Sequence, residues 1–129
     1  MPRSFVLFLF AAVAVSVMAQ HAPAASAASA DKVWADLAAG NQRYISGKTT
    51  TQDFPAERKA LVKTQNPKVA VLSCSDSRVP PELVFDQGLG ELFVVRTAGE
   101  DDDPVALGSL EYAVEQLGSS VIDVMGHQS

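Results

Sequence analysis

Three short apolar runs in the second half of the chain constrain its fold most: residues 69–73 (VAVLS), 92–95 (LFVV) and 121–125 (VIDVM). Each has the length and β-branched character of a strand, and helical patterns separate them, which is the sign of βαβ units and a parallel sheet. The first run is continuously apolar rather than alternating, as expected of a strand covered on both faces. Between the first two, Pro80-Pro81 opens a short helix that Gly88 closes. Between the last two, Asp103-Pro104 caps a helix that carries Ala106, Leu110, Ala113, Val114 and Leu117 inward and ends at Gly118.

Upstream, the spacing predicts a helix over 32–46, with Val33, Trp34, Leu37, Ala38, Tyr44 and Ile45 on one face and Gly47 as its stop. Its aromatic face is expected to pack rather than to bind a ligand. Gly40 weakens this helix by about 1 kcal/mol relative to Ala, so a partner surface is required for it to dock on. A second helix is expected over 55–63, with Pro55 as its first helical residue. Asn66-Pro67 ends it.

Residues 1–30 differ from the rest, since Arg3 is their one charged side chain. The apolar run 5–18 (FVLFLFAAVAVSVM) follows it, and an Ala/Ser-rich stretch leads to Ala28-Ser29-Ala30 before Asp31. This is the pattern of a secretory signal peptide over 1–30, cut before Asp31. The run is shorter than the ~20 residues a bilayer-spanning helix needs, so no stable membrane anchor is expected after cleavage. The expected location is periplasmic or secreted. An exported chain with a lone cysteine, Cys74, calls for a reason such as a metal or a partner chain.

With 10 Lys+Arg against 15 Asp+Glu the formal charge is −5, and the chain carries no electrostatic footprint for nucleic acid. One cysteine and two histidines exclude a disulfide framework and a zinc-finger array.

In open parallel sheets chemistry gathers beyond the carboxyl ends of the strands, where the order of connections reverses. Cys74 follows the first strand within CSDSR, Arg96 follows the second within RTAGE, and Gly126-His127 follows the third. If the first strand lies at the centre, Cys74 and His127 become neighbours. A thiolate, an imidazole and the Asp76 carboxylate are ligand types that suit zinc. Each residue also has a plainer reading. Cys74 alone reads as a buried structural cysteine, Asp76 as an N-cap for the Pro80 helix, Arg78 as a surface ion-pair residue and Arg96 as a donor to backbone carbonyls.

Over residues 68–99 the sequence CSDSRVPPELVFDQGLGELFVVRTAG, followed by SLEYAV and GHQS, resembles the β-class carbonic anhydrases, and LAAGNQRYISG is similar to the amino-terminal helix of bacterial members. The resemblance implies an α/β fold: a parallel-sheet β-carbonic-anhydrase-like core over 67–129 with an N-terminal helical arm over 31–66, incomplete at the C-terminus. It implies a zinc enzyme that interconverts carbon dioxide and bicarbonate, working as a homodimer or a multiple of dimers. Carried over, Cys74 and His127 match two zinc ligands. Asp76 and Arg78 match a pair in which the aspartate either stays with the arginine, leaving a metal position open to water, or swings in as a ligand. Gln65, nine residues before Cys74, matches a substrate-contacting glutamine. The mechanism implied is attack of metal-activated water on carbon dioxide.

The family's third protein ligand is a cysteine three residues after the histidine, a position beyond Ser129. The expectation is therefore a fragment of a longer zinc enzyme. The alternatives are a non-catalytic truncated protein lacking a ligand, and a related carbon disulfide or carbonyl sulfide hydrolase.

Overall fold

A computed structural model describes residues 30–128, and the expected signal peptide lies outside them apart from Ala30. Seven elements follow in order: α1 (Ala30–Ile45), α2 (Phe54–Ala60), β1 (Val69–Cys74), α3 (Pro81–Val84), β2 (Leu92–Thr97), α4 (Pro104–Glu115) and β3 (Val121–Met125). The sheet is parallel with order β2-β1-β3, so the first strand is central and both later strands are reached by crossovers. No helix among the described residues is long and apolar enough to cross a membrane.

Side chains of β1 alternate between two apolar layers, and this is why its sequence is apolar throughout. Val69 and Val71 pack with Val33 and Leu37 of α1 and with Phe85 after α3. Ala70 and Leu72 face the other way, onto Ala106, Leu110 and Ala113 of α4. At about 25 cal/mol per Å² of apolar surface removed from water, these two layers are the main force holding helices to the sheet.

The ends of α4 follow from sequence-local chemistry. The Asp103 carboxylate accepts from the N–H groups of Val105 and Ala106 at 2.9 and 2.8 Å, and Pro104 needs no donor there. At the other end Gly118 has φ +74°, which lets the Ser119 N–H reach back to the Ala113 carbonyl at 3.0 Å and close the helix.

Docking of α1 depends on Gly40. A Cβ at this position would stand 1.9 Å from the Phe85 carbonyl oxygen, so only glycine allows the helix to approach so closely. Two polar clasps flank the contact. Asn41 donates to the Val84 carbonyl at 3.0 Å, and Arg43 reaches the carboxylate of Asp86, which also accepts from the Thr50 N–H and hydroxyl.

Some sequence expectations are corrected. Trp34, Tyr44 and Ile45 are exposed rather than packed, because α1 turns Val33, Leu37 and Gly40 to the sheet and leaves its second apolar stripe outward. Val114 is also exposed, one residue round the helix from buried Ala113. The helix expected over 55–63 stops at Ala60 and continues as a turn. The strand β2 runs two residues beyond 95, through Arg96 and Thr97.

Candidate metal centre

The candidate centre lies past the carboxyl ends of β1 and β3, at the crevice that the strand order creates. Cys74 is the last residue of β1, on the α4 side by strand alternation. Pairing with β3 ends at Ser73 and Met125, and two residues later His127 stands beside the thiol. Cys74 and His127 are close enough for each to shift the titration of the other.

The thiol sits among donors. The Asp76 N–H reaches Sγ at 3.4 Å, and the backbone N–H of Gly99 lies near enough to add to its effect on the thiol. These two donors, with His127 third, hold the Cys74 thiol below its ordinary pKa, favouring the thiolate form that binds metals. The same contact with Cys74, then the Gln128 carbonyl, raises His127.

Asp76 is held back from this pair. Its Oδ1 accepts from Arg78 Nε at 3.0 Å and from the Arg78 N–H at 2.9 Å, and its Oδ2 accepts from Nη2 at 2.7 Å. The Arg78 fork is the foremost reason that the Asp76 carboxyl lies far below the usual carboxylate range. From there Oδ2 stands 3.9 Å from His127 Nε2. Asp76 is not an N-cap: α3 begins at Pro80-Pro81 with no side-chain cap.

Among the described residues no group of three or more His, Cys, Asp or Glu side chains converges to hold a metal ion. The reason is local: Cys74 and His127 meet, while the third donor is turned into the arginine fork. The donors present, a thiolate-favouring sulfur and an imidazole with a carboxylate in reserve, fit the chemistry of zinc.

Gln65 is not brought to this centre within the chain. It is exposed in the loop before β1, against Tyr112, Gln116 and Leu117. The length of β1 then separates it from Cys74, the last residue of that strand, five residue steps from Val69 or about 17 Å at strand rise. Two contributors carry no role in the sequence reading, Gly99, whose N–H helps lower the thiol's pKa, and Thr97 as the acceptor for Ser75 N–H at 2.7 Å. The signal for Gly99 is a glycine just past a strand end, where φ is +82°. Arg96 takes the plainer of its readings and donates to the Cys74 and Asp76 carbonyls.

A parallel α/β sheet with a Cys/His pair at its carboxyl edge and an Asp-Arg pair beside it defines a candidate metalloprotein of the open-sheet type. The carbonic anhydrase family model matches residues 69–129. The carbonic anhydrase of Mycolicibacterium smegmatis is 47% identical over 97 residues, covering 74% of this chain and 47% of the relative. Carbonic anhydrase 2 of Mycobacterium tuberculosis is 44% identical over the same length and the same shares. Among solved structures, the Coccomyxa β-carbonic anhydrase is 32% identical with a TM-score of 0.51, covering 76% of this chain and 40% of its own. That of Aspergillus fumigatus is 26% identical with a TM-score of 0.56, covering 77% and 48%. The chain spans about half the length of the curated relatives it matches. Over residues 69–129 the chain thus matches the carbonic anhydrase family, and the solved structures it resembles are of the β class.

Proposed function

We propose that this chain is part of a zinc-dependent carbonic anhydrase that catalyses the reversible hydration of carbon dioxide to bicarbonate and a proton. The observation that carries the reading is the meeting of Cys74 and His127 at the strand edge, with Asp76 held out of the way by Arg78. Relatives that share this stretch are named carbonic anhydrases, which favours carbon dioxide over other substrates.

Cys74 and His127 would hold the ion. Zinc supplies one thing there, the acidification of water that makes a nucleophile near neutral pH. The protein's own groups do the rest. The Asp76 N–H at Sγ, with the nearby Gly99 N–H, favours the thiolate form. Arg78 holds the carboxylate of Asp76 by two charge-assisted bonds, which would keep that carboxylate off an ion held by Cys74 and His127. Were the fork to open, the same carboxylate would be free to turn toward the ion that Cys74 and His127 would hold.

The family resemblance supports a homodimer or a multiple of dimers, and one solved neighbour, from Sordaria macrospora, is described as tetrameric. The charge pattern of 1–30 supports export to the periplasm or medium. Recovery of a mature chain beginning at Asp31 from the periplasmic fraction checks that point, and retention of the leader in a cytosolic product overturns it.

The test of the activity is zinc content and stopped-flow carbon dioxide hydration, measured on the natural gene product and on its Cys74→Ser variant. Zinc and hydration are expected to be lost together in the variant. Retention of both would overturn the reading.

A further inference from the structure

Arg96 occupies the β2 position paired with Ser73, one residue before the β1 ladder ends. Its guanidinium crosses beneath the CSDSR loop. Nε donates to the Cys74 carbonyl at 2.9 Å, and Nη2 donates to the Asp76 carbonyl at 2.5 Å. The two acceptors are two residues apart, on either side of Ser75, so one planar group fixes the orientation of both peptide units.

That orientation decides where the loop's other groups point. The carbonyl of Asp76 faces Arg96 and also accepts from the Val79 N–H at 3.3 Å. On the same residue the N–H is aimed at Cys74 Sγ and the carboxylate at Arg78. The remaining tie to β2, Ser75 N–H to the Thr97 carbonyl, is a continuation of the strand ladder and does not depend on any side chain. The loop is thus held by two separable devices, a ladder bond that places Ser75 and a guanidinium that sets the turn after it.

We infer that Arg96 is a positioning residue of the metal centre: by binding the Cys74 and Asp76 carbonyls it sets the turn that presents Sγ to a metal and Asp76 to Arg78. The inference uses the carbonic anhydrase reading only for the presence of a metal, and the turn itself is a property of the metal-free chain. Lysine keeps the charge but has a single nitrogen, which cannot span both carbonyls in the arginine geometry.

The experiment uses the full 129-residue chain, with Arg96→Gln and Arg96→Lys variants, and two readouts. The first is amide hydrogen exchange in the metal-free state. In Arg96→Gln the Asp76 and Arg78 amides are expected to exchange about tenfold or more faster, the factor carried by one charge-assisted bond of ordinary net strength, while the Ala70–Ser73 amides keep their protection. Arg96→Lys is expected to fall between wild type and Arg96→Gln. The second is titration with cobalt(II), read by thiolate-to-metal charge-transfer absorption, whose affinity is expected to fall by about the same factor.

Unchanged loop protection in Arg96→Gln overturns the inference. So does a parallel loss in loop and β1 in both variants, because Arg96 would then support the sheet rather than the turn. If the wild-type chain shows no cobalt–thiolate absorption, the metal reading fails while the exchange measurement still decides the role of Arg96.

Discussion

Arg78 grips both carboxylate oxygens of Asp76, at 3.0 and 2.7 Å, while the same carboxylate stands 3.9 Å from the imidazole of His127. On the proposed function, a small rotation of Asp76 would trade its arginine partner for an ion held by Cys74 and His127. In Arg78→Ala the carboxylate is released toward the ion, so zinc should be retained while hydration falls by about tenfold or more, the scale of losing a charge-assisted hold. Zinc content measured beside the hydration rate checks this. Because Arg78 is largely exposed, its loss should change stability little.

Gly40 presents the opposite case, a residue that matters for packing alone. Gly40→Ala improves helix propensity by about 1 kcal/mol in isolation. The new Cβ would nevertheless collide with the Phe85 carbonyl at 1.9 Å. Backbone on both sides cannot yield easily, so net destabilisation of about 1–3 kcal/mol is expected in denaturant titration.

Asp86 carries an acid-sensitive clasp between α1, the Thr50 loop and the turn after α3. The Arg43 guanidinium, then the Thr50 hydroxyl and N–H, hold its carboxyl below the usual range. Its folded pKa lies below the unfolded value of about 3.9, so its stabilisation is fully present above pH ~4. As pH falls through the folded value the unfolded state binds the extra proton first, and that stabilisation is lost. Asp86→Asn should lower stability at neutral pH and give a shallower decline below pH ~4, read by thermal melting across pH.

Asp123 has the reverse sign. Burial alone raises its carboxyl, and Oδ2 is shut from solvent with no hydrogen-bond partner among the described residues. In this case the folded state holds the proton longer than the unfolded state. Stability should fall as pH rises from the unfolded pKa through the folded one. Asp123→Val removes the orphaned oxygen from a strand, and a gain of about 1–3 kcal/mol at neutral pH is expected, with that part of the pH dependence abolished. No gain in the melting temperature would show that the carboxylate is satisfied by a water.

The three strands, their parallel direction and the caps of α4 were legible in the residues: strands and caps follow from interactions within a few positions, and the direction from the helices between the strands. A continuous apolar run reports two covered faces, Asp103-Pro104 carries its own capping chemistry, and Gly118 marks a left-handed stop. The same locality made Cys74, Asp76, Arg78 and His127 visible as candidates, since motif and strand end coincide. Packing of Trp34, Tyr44 and Ile45 was misjudged: helical spacing shows that an apolar stripe exists, not which stripe meets the sheet. The chosen stripe is the one that passes Gly40 over the Phe85 carbonyl, a contact across 45 residues of chain.

Local sequence, then, was enough to specify the elements and the chemical types at their ends, because backbone propensity, capping and burial period are short-range. Tertiary structure alone decided that Arg96 turns under the CSDSR loop, that Gly99 comes near the thiol, that Asp76 is in the fork of Arg78 rather than on the helix it precedes, and that Gln65 stands at the far end of β1. Those placements depend on which strands lie side by side and in what register, and register is set by the packing of two whole layers on β1 rather than by any one motif.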